Sequence, residues 1–480
     1  MQFEFDTSSL ITVLPEIFIL TAACVILVVD LFLKDEQRVI SYGMTQISLL
    51  LAVIVTLLSA PAETVLAFDG SVVRDGMSDL LKIAIYIISA GAFLYAKDYL
   101  RDRELFKGEY YVLGLFAVLG MMVMVSANSF LTVYLGLELL ALSMYALVAF
   151  NRDSADGSEA AMKYFVLGAL ASGMLLYGIS MIYGATGSIG FQSVAEGLAN
   201  PDVNKIVLVF GLVFVVIGLA FKFGAVPFHM WVPDVYQGAP TAVVTFLGST
   251  PKIAAFALAM RMLVDGLGGL HGDWQYMLVI LAILSMGLGN VFAIAQGNIK
   301  RMLAYSTISH VGFILIGILA GTTKGYTAAM FYSIVYALMA LGAFGIVMLL
   351  SRKGFEAENL DDYKGLNERS PWFAGMMLLV MFSMAGVPPT VGFFAKMFVL
   401  EAVVSIDMTW LALVGVFFSI IGAFYYLRIV KLMYFDKPVD DTPLSAGLDT
   451  QVALSVNGLS ILLLGMFPAG LLSLCAAALT

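Results

Sequence analysis

Charge is scarce in this chain: 12% of its 480 residues are Asp, Glu, Lys or Arg, where a soluble globular domain carries roughly a quarter. That shortage excludes a water-exposed surface over most of the protein. There are two cysteines and three histidines. Cys24 and Cys475 lie in apolar stretches near opposite ends, without the spacing that zinc or iron–sulfur ligation needs, and no pair of histidines is spaced to hold haem. No Gly-rich phosphate loop follows a strand, and no nucleic-acid signature appears. Ser249-Thr-Pro-Lys252 fits a bare S-x-x-K, but it lies inside an apolar helix without companion motifs, which argues against a serine nucleophile. The start, MQFEFDTSSL, lacks the basic n-region of a signal peptide, so the first apolar stretch is expected to be retained.

What is present is apolar: 61% hydrophobic residues and a mean hydropathy of +0.96. Stretches of about 20 apolar residues, each able to cross a hydrocarbon core of about 30 Å, recur from end to end. Hydropathy and turn signals place spans at 11–33, 39–60, 77–97, 109–126, 128–150, 158–184, 205–237, 240–263, 274–296, 302–320, 325–350, 371–405, 408–434 and 451–477. The chain is therefore expected to be an all-α integral membrane protein of about fourteen transmembrane helices forming one polytopic domain. The seventh and twelfth spans are too long for one crossing and contain Gly/Pro breaks, at Gly224/Pro227 and at Pro388–Pro389, so both are expected to be discontinuous helices. Basic residues at the odd-numbered connections outnumber those on the other side, where only Arg74, Lys205, Arg261 and Lys324 lie. This positive-inside bias puts both termini on the non-cytoplasmic side.

Four lysines remain within spans: Lys82, Lys222, Lys252 and Lys396. A charge at the bilayer centre costs roughly 2.5 to 3.5 kcal/mol on the lenient translocon scale, so each needs a partner or a wet path. Glu138 is central in the fifth span and Lys252 in the eighth; Lys222 directly precedes one break and Lys396 directly follows the other. A static Lys–Glu pair accounts for one lysine but not three. The remainder must be partly deprotonated or hydrated, and a lysine whose carboxylate moves nearer or farther can load and unload a proton. Lys82, six residues into its span, is expected to snorkel to the interface, and Asp30 to be an edge charge near Lys34. Glu159 and Lys163 form an i,i+4 pair at the start of the sixth span, as a surface pair or as a site of proton uptake. His310 lies deep in an apolar helix, either held by neighbouring Ser or Thr or as a relay; His229, within the break, is expected to cap freed carbonyls. The methionines and aromatics read as packing and lipid-facing material.

Polar landmarks also suggest a repeat. Glu138 and His310, and Lys222 and Lys396, recur at nearly the same interval on spans five positions apart. The odd shift makes spans 4–8 and 9–13 inverted-topology repeats (109–263 and 274–434), preceded by a three-helix segment, 1–108, and followed by a last helix, 451–477.

The segment FKFGAVPFHMWVPDVYQGAPTAVVTFLGSTPKIAAF (221–256), with YLGLELLALSMYALVAF (134–150), EAAMKYFVLGAL (159–170), NIKRMLAYSTISHVGF (298–313) and GVPPTVGFFAKMFVL (386–400), closely resembles subunit N, the subunit 2 type, of proton-pumping NADH:quinone oxidoreductase, respiratory complex I. The related subunits L and M and the cation/proton antiporters typically have a histidine in the eighth helix, where this chain has Lys252. The resemblance implies a proton-translocating subunit whose axis runs through Glu138, Lys222, Lys252, His310 and Lys396, with Lys396 near the exit. It also implies no cofactor in this chain, FMN and iron–sulfur clusters on other subunits, NADH and quinone bound elsewhere in the complex, and a bacterial inner-membrane location beside other antiporter-like and small membrane subunits. The alternative from another class is a Na⁺/H⁺ antiporter subunit driven by ion gradients alone.

Overall fold

The computed structural model describes residues 7–440, 442, 444 and 447–479. Twelve helices among the described residues are long and apolar enough to cross a bilayer. They coincide with twelve of the fourteen expected spans. Of the other two, the first is the 17-residue helix Leu14–Asp30, and the twelfth is divided into Pro371–Ala385 and Val391–Val404.

Both expected discontinuities occur. The seventh span runs as Lys205–Phe223, breaks, and resumes as the short helix Trp231–Gly238. A third break was not expected: the last span stops at Met466 and restarts at Pro468, because proline has no N–H for a helix interior but suits a first turn. Two small elements also escaped the reading, a hairpin pairing Val65–Ala67 with Val72–Arg74 and the helix Phe191–Leu198. Each is too short to carry a period. The second is fixed by Phe191, buried edge-on against Phe130 with ring centroids 4.9 Å apart.

Small residues let helices approach closely where apolar side chains alone provide no preference for protein over lipid. A Cβ on Gly120 would lie 2.5 Å from the Leu140 backbone nitrogen, locking the fourth span (Gly108–Ser126) to the fifth (Phe130–Val148). The ninth (His271–Ile294) and tenth (Ile299–Leu319) meet in the same way at Gly289 and Gly312. The eighth span, Thr241–Ala259 followed by a π-helical turn to Gly266, is wholly enclosed, and the tenth almost so. These are the helices that bear Lys252 and His310. Spans two, six, thirteen and fourteen are about one-third buried and form the periphery.

Lys82 does not snorkel. It is buried and pairs with Glu16 at 2.7 Å, while Ser126 donates to the same carboxylate oxygen; beside them Arg74 is held by Asp79 and by the carbonyls of Thr12 and Thr56. The early acid that neutralises Lys82 sits on another helix, beyond the reach of an argument from position within one span. Asp30, the last residue of its helix, accepts a hydrogen bond from Ser41.

Candidate functional site

At the first break Phe223 ends its helix and Gly224 turns left-handed, at φ +76. The Ala225 N–H returns to the Ala220 carbonyl at 2.8 Å, the closure typical of a glycine-terminated helix. Two carbonyls of the last turn then lie open to side chains. Trp231 Nε1 donates to Phe221 O at 3.1 Å, and Lys252 Nζ donates to Phe223 O at 2.7 Å. These two groups cap the helix end, while His229, as expected, bonds a carbonyl within the break, that of Pro227. Lys252, 2% exposed, also lies 5.7 Å from the centre of the Trp231 ring.

Lys222, two residues before the glycine, is half-buried and makes no ion-pair contact with any described carboxylate, though the charge of Glu138 acts on it and its own charge acts on Lys252. Glu138 is bound instead by the Ser172 hydroxyl, which also meets Tyr134 at 3.3 Å. Ser172 and Lys222 line one cavity with Tyr145, Tyr164 and Trp231, with about 20 Å³ for water centres. That is room for about one water between the acid's partner and the lysine.

The second break reuses the same backbone. Gly386 is left-handed at φ +88, the Val387 N–H returns to Phe382 O at 2.9 Å, and a cis X–Pro bond follows three residues after the glycine, as at Val226–Pro227. The freed carbonyl here is Ala385 O, and Lys396 Nζ donates to it at 2.9 Å and to Ser419 at 2.9 Å. Lys222 and Lys396, paired in the sequence by their interval, thus hold different places: one precedes its glycine by two residues, the other follows its own by ten.

His310 is held by tyrosines rather than by neighbouring Ser or Thr. Nδ1 meets the Tyr332 hydroxyl at 2.7 Å and Nε2 that of Tyr426 at 3.0 Å; Tyr426 also bonds Ser306, and the Tyr336 ring lies 5.0 Å away. These tyrosines are fully buried, which corrects their reading as packing material. The i,i+4 pair Tyr332/Tyr336 was the available signal, since a phenol inside an apolar helix needs a hydrogen-bond partner. Phe313 lies between the cage and the second break, parallel to Tyr332 and 5.2 Å from Lys396 Nζ.

Glu159 and Lys163 lie apart from this row. Lys163 bridges Glu159 and Asp234, both at 2.8 Å, and Arg301 holds the other oxygen of Asp234 at 2.8 Å. The network borders an open, charged cavity of about 460 Å³, lined also by Lys300 and Glu358, which pair at 2.6 Å. Asp234 belongs to the short helix after the first break, so the open cavity and the buried row share one element. No group of three or more His, Cys, Asp or Glu suited to a metal occurs among the described residues.

Residues 127–422 match the family described as "NADH:quinone oxidoreductase/Mrp antiporter, TM". The chain is 63% identical to NADH-quinone oxidoreductase subunit N of Thioalkalivibrio sulfidiphilus, covering 99% of both chains. Among solved structures it is similar to a chain of respiratory complex I from Thermus thermophilus with bound aureothin, at 29% identity and TM-score 0.83, covering 97% of this chain and 100% of that one. It is also similar to a chain of the membrane-bound sulfane sulfur reductase, an archaeal respiratory membrane complex, at 25% identity and TM-score 0.88, covering 98% and 97%. With more than half the chain inside the family match and a near-full-length relative at this identity, the protein belongs to the subunit N family of NADH-quinone oxidoreductases.

Proposed function

We propose that protons cross this subunit along the buried row Glu138, Lys222, Lys252, His310 and Lys396. The chain is a multi-pass membrane subunit of the proton-translocating NADH:quinone oxidoreductase of bacteria, and its partners are the other subunits of that complex. The observation that carries the reading is that Lys252 and Lys396, both deeply buried, are held by single backbone carbonyls at helix breaks rather than by carboxylates. A neutral carbonyl solvates an ammonium without fixing its charge, so either lysine can lose its proton and keep the fold.

Approach of Glu138 to Lys222 stabilises the protonated lysine, and its withdrawal toward Ser172 releases that hold; Lys252 responds because two neighbouring ammonium groups repel. Quinone reduction in other subunits drives the cycle, and Lys396 is the site of exchange with the far side. Glu159, Lys163 and Asp234 surround the mouth for cytoplasmic protons, and the positive-inside bias supports both termini on the opposite face of the inner membrane. Residues 109–263 and 274–434 act as two inverted units between the 1–108 segment and the last helix, 451–477. FMN and the iron–sulfur clusters belong to other subunits, with none in this chain.

The test uses the intact complex in vesicles. Lys252→Ala and Glu138→Gln are expected to assemble, reduce quinone with NADH, and pump poorly. Wild-type pumping by both assembled variants rejects the assignment. Sodium flux without NADH establishes instead an antiporter driven by ion gradients.

A further inference from the structure

The described hydrogen bonds leave a gap in the row. None joins Lys252, on the eighth span, to the His310 cage on the tenth. One buried hydroxyl faces both helices. Tyr236, on the short helix after the first break, is 0% exposed, and its hydroxyl lies against that of Thr307 without a well-formed hydrogen bond to any described residue. A phenylalanine fills the same shape without leaving a polar atom unpaired, so packing gives no reason for the oxygen.

Its surroundings give one. On one side the hydroxyl faces Gly248, where a Cβ would lie 3.4 Å from it. Gly248 is one helical turn before Lys252 on the same helix face, so the missing side chain leaves open the approach to the ammonium. On the other side are Thr307 and Tyr336. The Tyr336 hydroxyl donates to Thr307 Oγ1 at 2.7 Å, and its ring packs on that of His310. Thr307 is one turn before His310 on the tenth span.

We propose that Tyr236 is a proton-relay residue, its hydroxyl linking Lys252 through a bridging water to the Thr307–Tyr336 pair and the His310 cage. This rests on the reading that protons pass along the buried row. The hydroxyl gives its hydrogen to the acceptor ahead while taking one from the donor behind: one O–H bond breaks, one forms, and the phenol ends neutral. The oxygen needs no fixed protein partner for this, because a bridging water supplies both donor and acceptor. Tyr236 also shares its helix with Asp234, so the residue that joins the two lengths of the row is carried by the element that reaches the open charged cavity.

The test compares Tyr236→Phe with Lys252→Ala in the whole complex reconstituted into vesicles, reading protons pumped per NADH oxidised, the solvent deuterium effect on pumping, and thermal stability. Removing a hydroxyl that serves only packing leaves the pumping ratio and the deuterium effect unchanged, whatever its effect on stability. The relay predicts a several-fold fall in the ratio at unchanged stability, with a larger deuterium effect on the pumping that remains. A wild-type ratio in Y236F together with loss in K252A overturns the relay and leaves the row intact, whereas wild-type ratios in both reject the row itself. If Y236F fails to assemble, Tyr336→Phe decides: a several-fold fall supports the link, and a wild-type ratio overturns it.

Discussion

At Gly224 the carbonyl freed by the break is taken by a lysine of the next span; at Gly386 it is taken by a lysine of the same span. The backbone parts are alike: a left-handed glycine, the same returning N–H, and an X–Pro bond three residues on. The donors differ. The first break therefore ties the seventh span to the eighth, and any change at Lys252 is felt beside Lys222. The second closes within the twelfth span and reaches outward through Ser419 and the Phe313 ring. One backbone device serves as a coupler in one place and as a self-contained station in the other, depending on which helix supplies the ammonium.

The largest expected effect separates coupler from station. Lys252→Ala removes both an ionisable group and the cap on Phe223, and is expected to lower NADH-driven pumping by about tenfold or more, on the scale of losing a positioned proton-transfer group. In a double-mutant cycle with Lys222→Ala the two changes are expected to be strongly non-additive, whereas Lys396→Ala and Lys222→Ala add; additivity in the first pair dissolves the distinction. Glu138→Gln comes next. It keeps an acceptor for Ser172 but removes the charge that acts on Lys222, so pumping falls several-fold while assembly, read by native electrophoresis, persists.

Smaller effects test the breaks themselves. Gly224→Ala and Gly386→Ala each force an L side chain into the left-handed region, at a cost of about 1–2 kcal/mol, measurable as a lower thermal midpoint of the complex. The first should cost more, since its Cβ would meet Val232 Cγ2 at 2.6 Å, while the second meets only the Lys396 side chain, at 3.0 Å. Lys163→Ala is expected to have the smallest effect. Its pairs are solvent-exposed, worth up to about 1 kcal/mol, and its loss should slow pumping most at low salt.

Twelve of the fourteen expected membrane segments were legible as single long helices because hydropathy over about 20 residues is a local property, and both long breaks because Gly and Pro act on their own turn. Glu138, Lys222, Lys252 and Lys396 stood out for a similar reason: a charge far from either end of an apolar span has a cost readable from position alone. The break at Pro468 was missed because the preceding residues continue the apolar run. Lys82 was misjudged because its distance from the helix end says nothing of Glu16, which neutralises it from another span.

Composition and order thus determined that the chain lives in lipid, where its helices break, and which charges need an explanation. Tertiary structure alone decided what each polar group meets: a neighbouring span's carbonyl for Lys252, its own span's for Lys396, two tyrosines for His310, and the flank of Thr307 for the Tyr236 hydroxyl. The physical reason is that hydropathy and backbone breaks are set within a few turns of one helix. Partners depend on the rotation and depth at which separate helices pack, and in an apolar solvent glycine contacts and polar side chains set these.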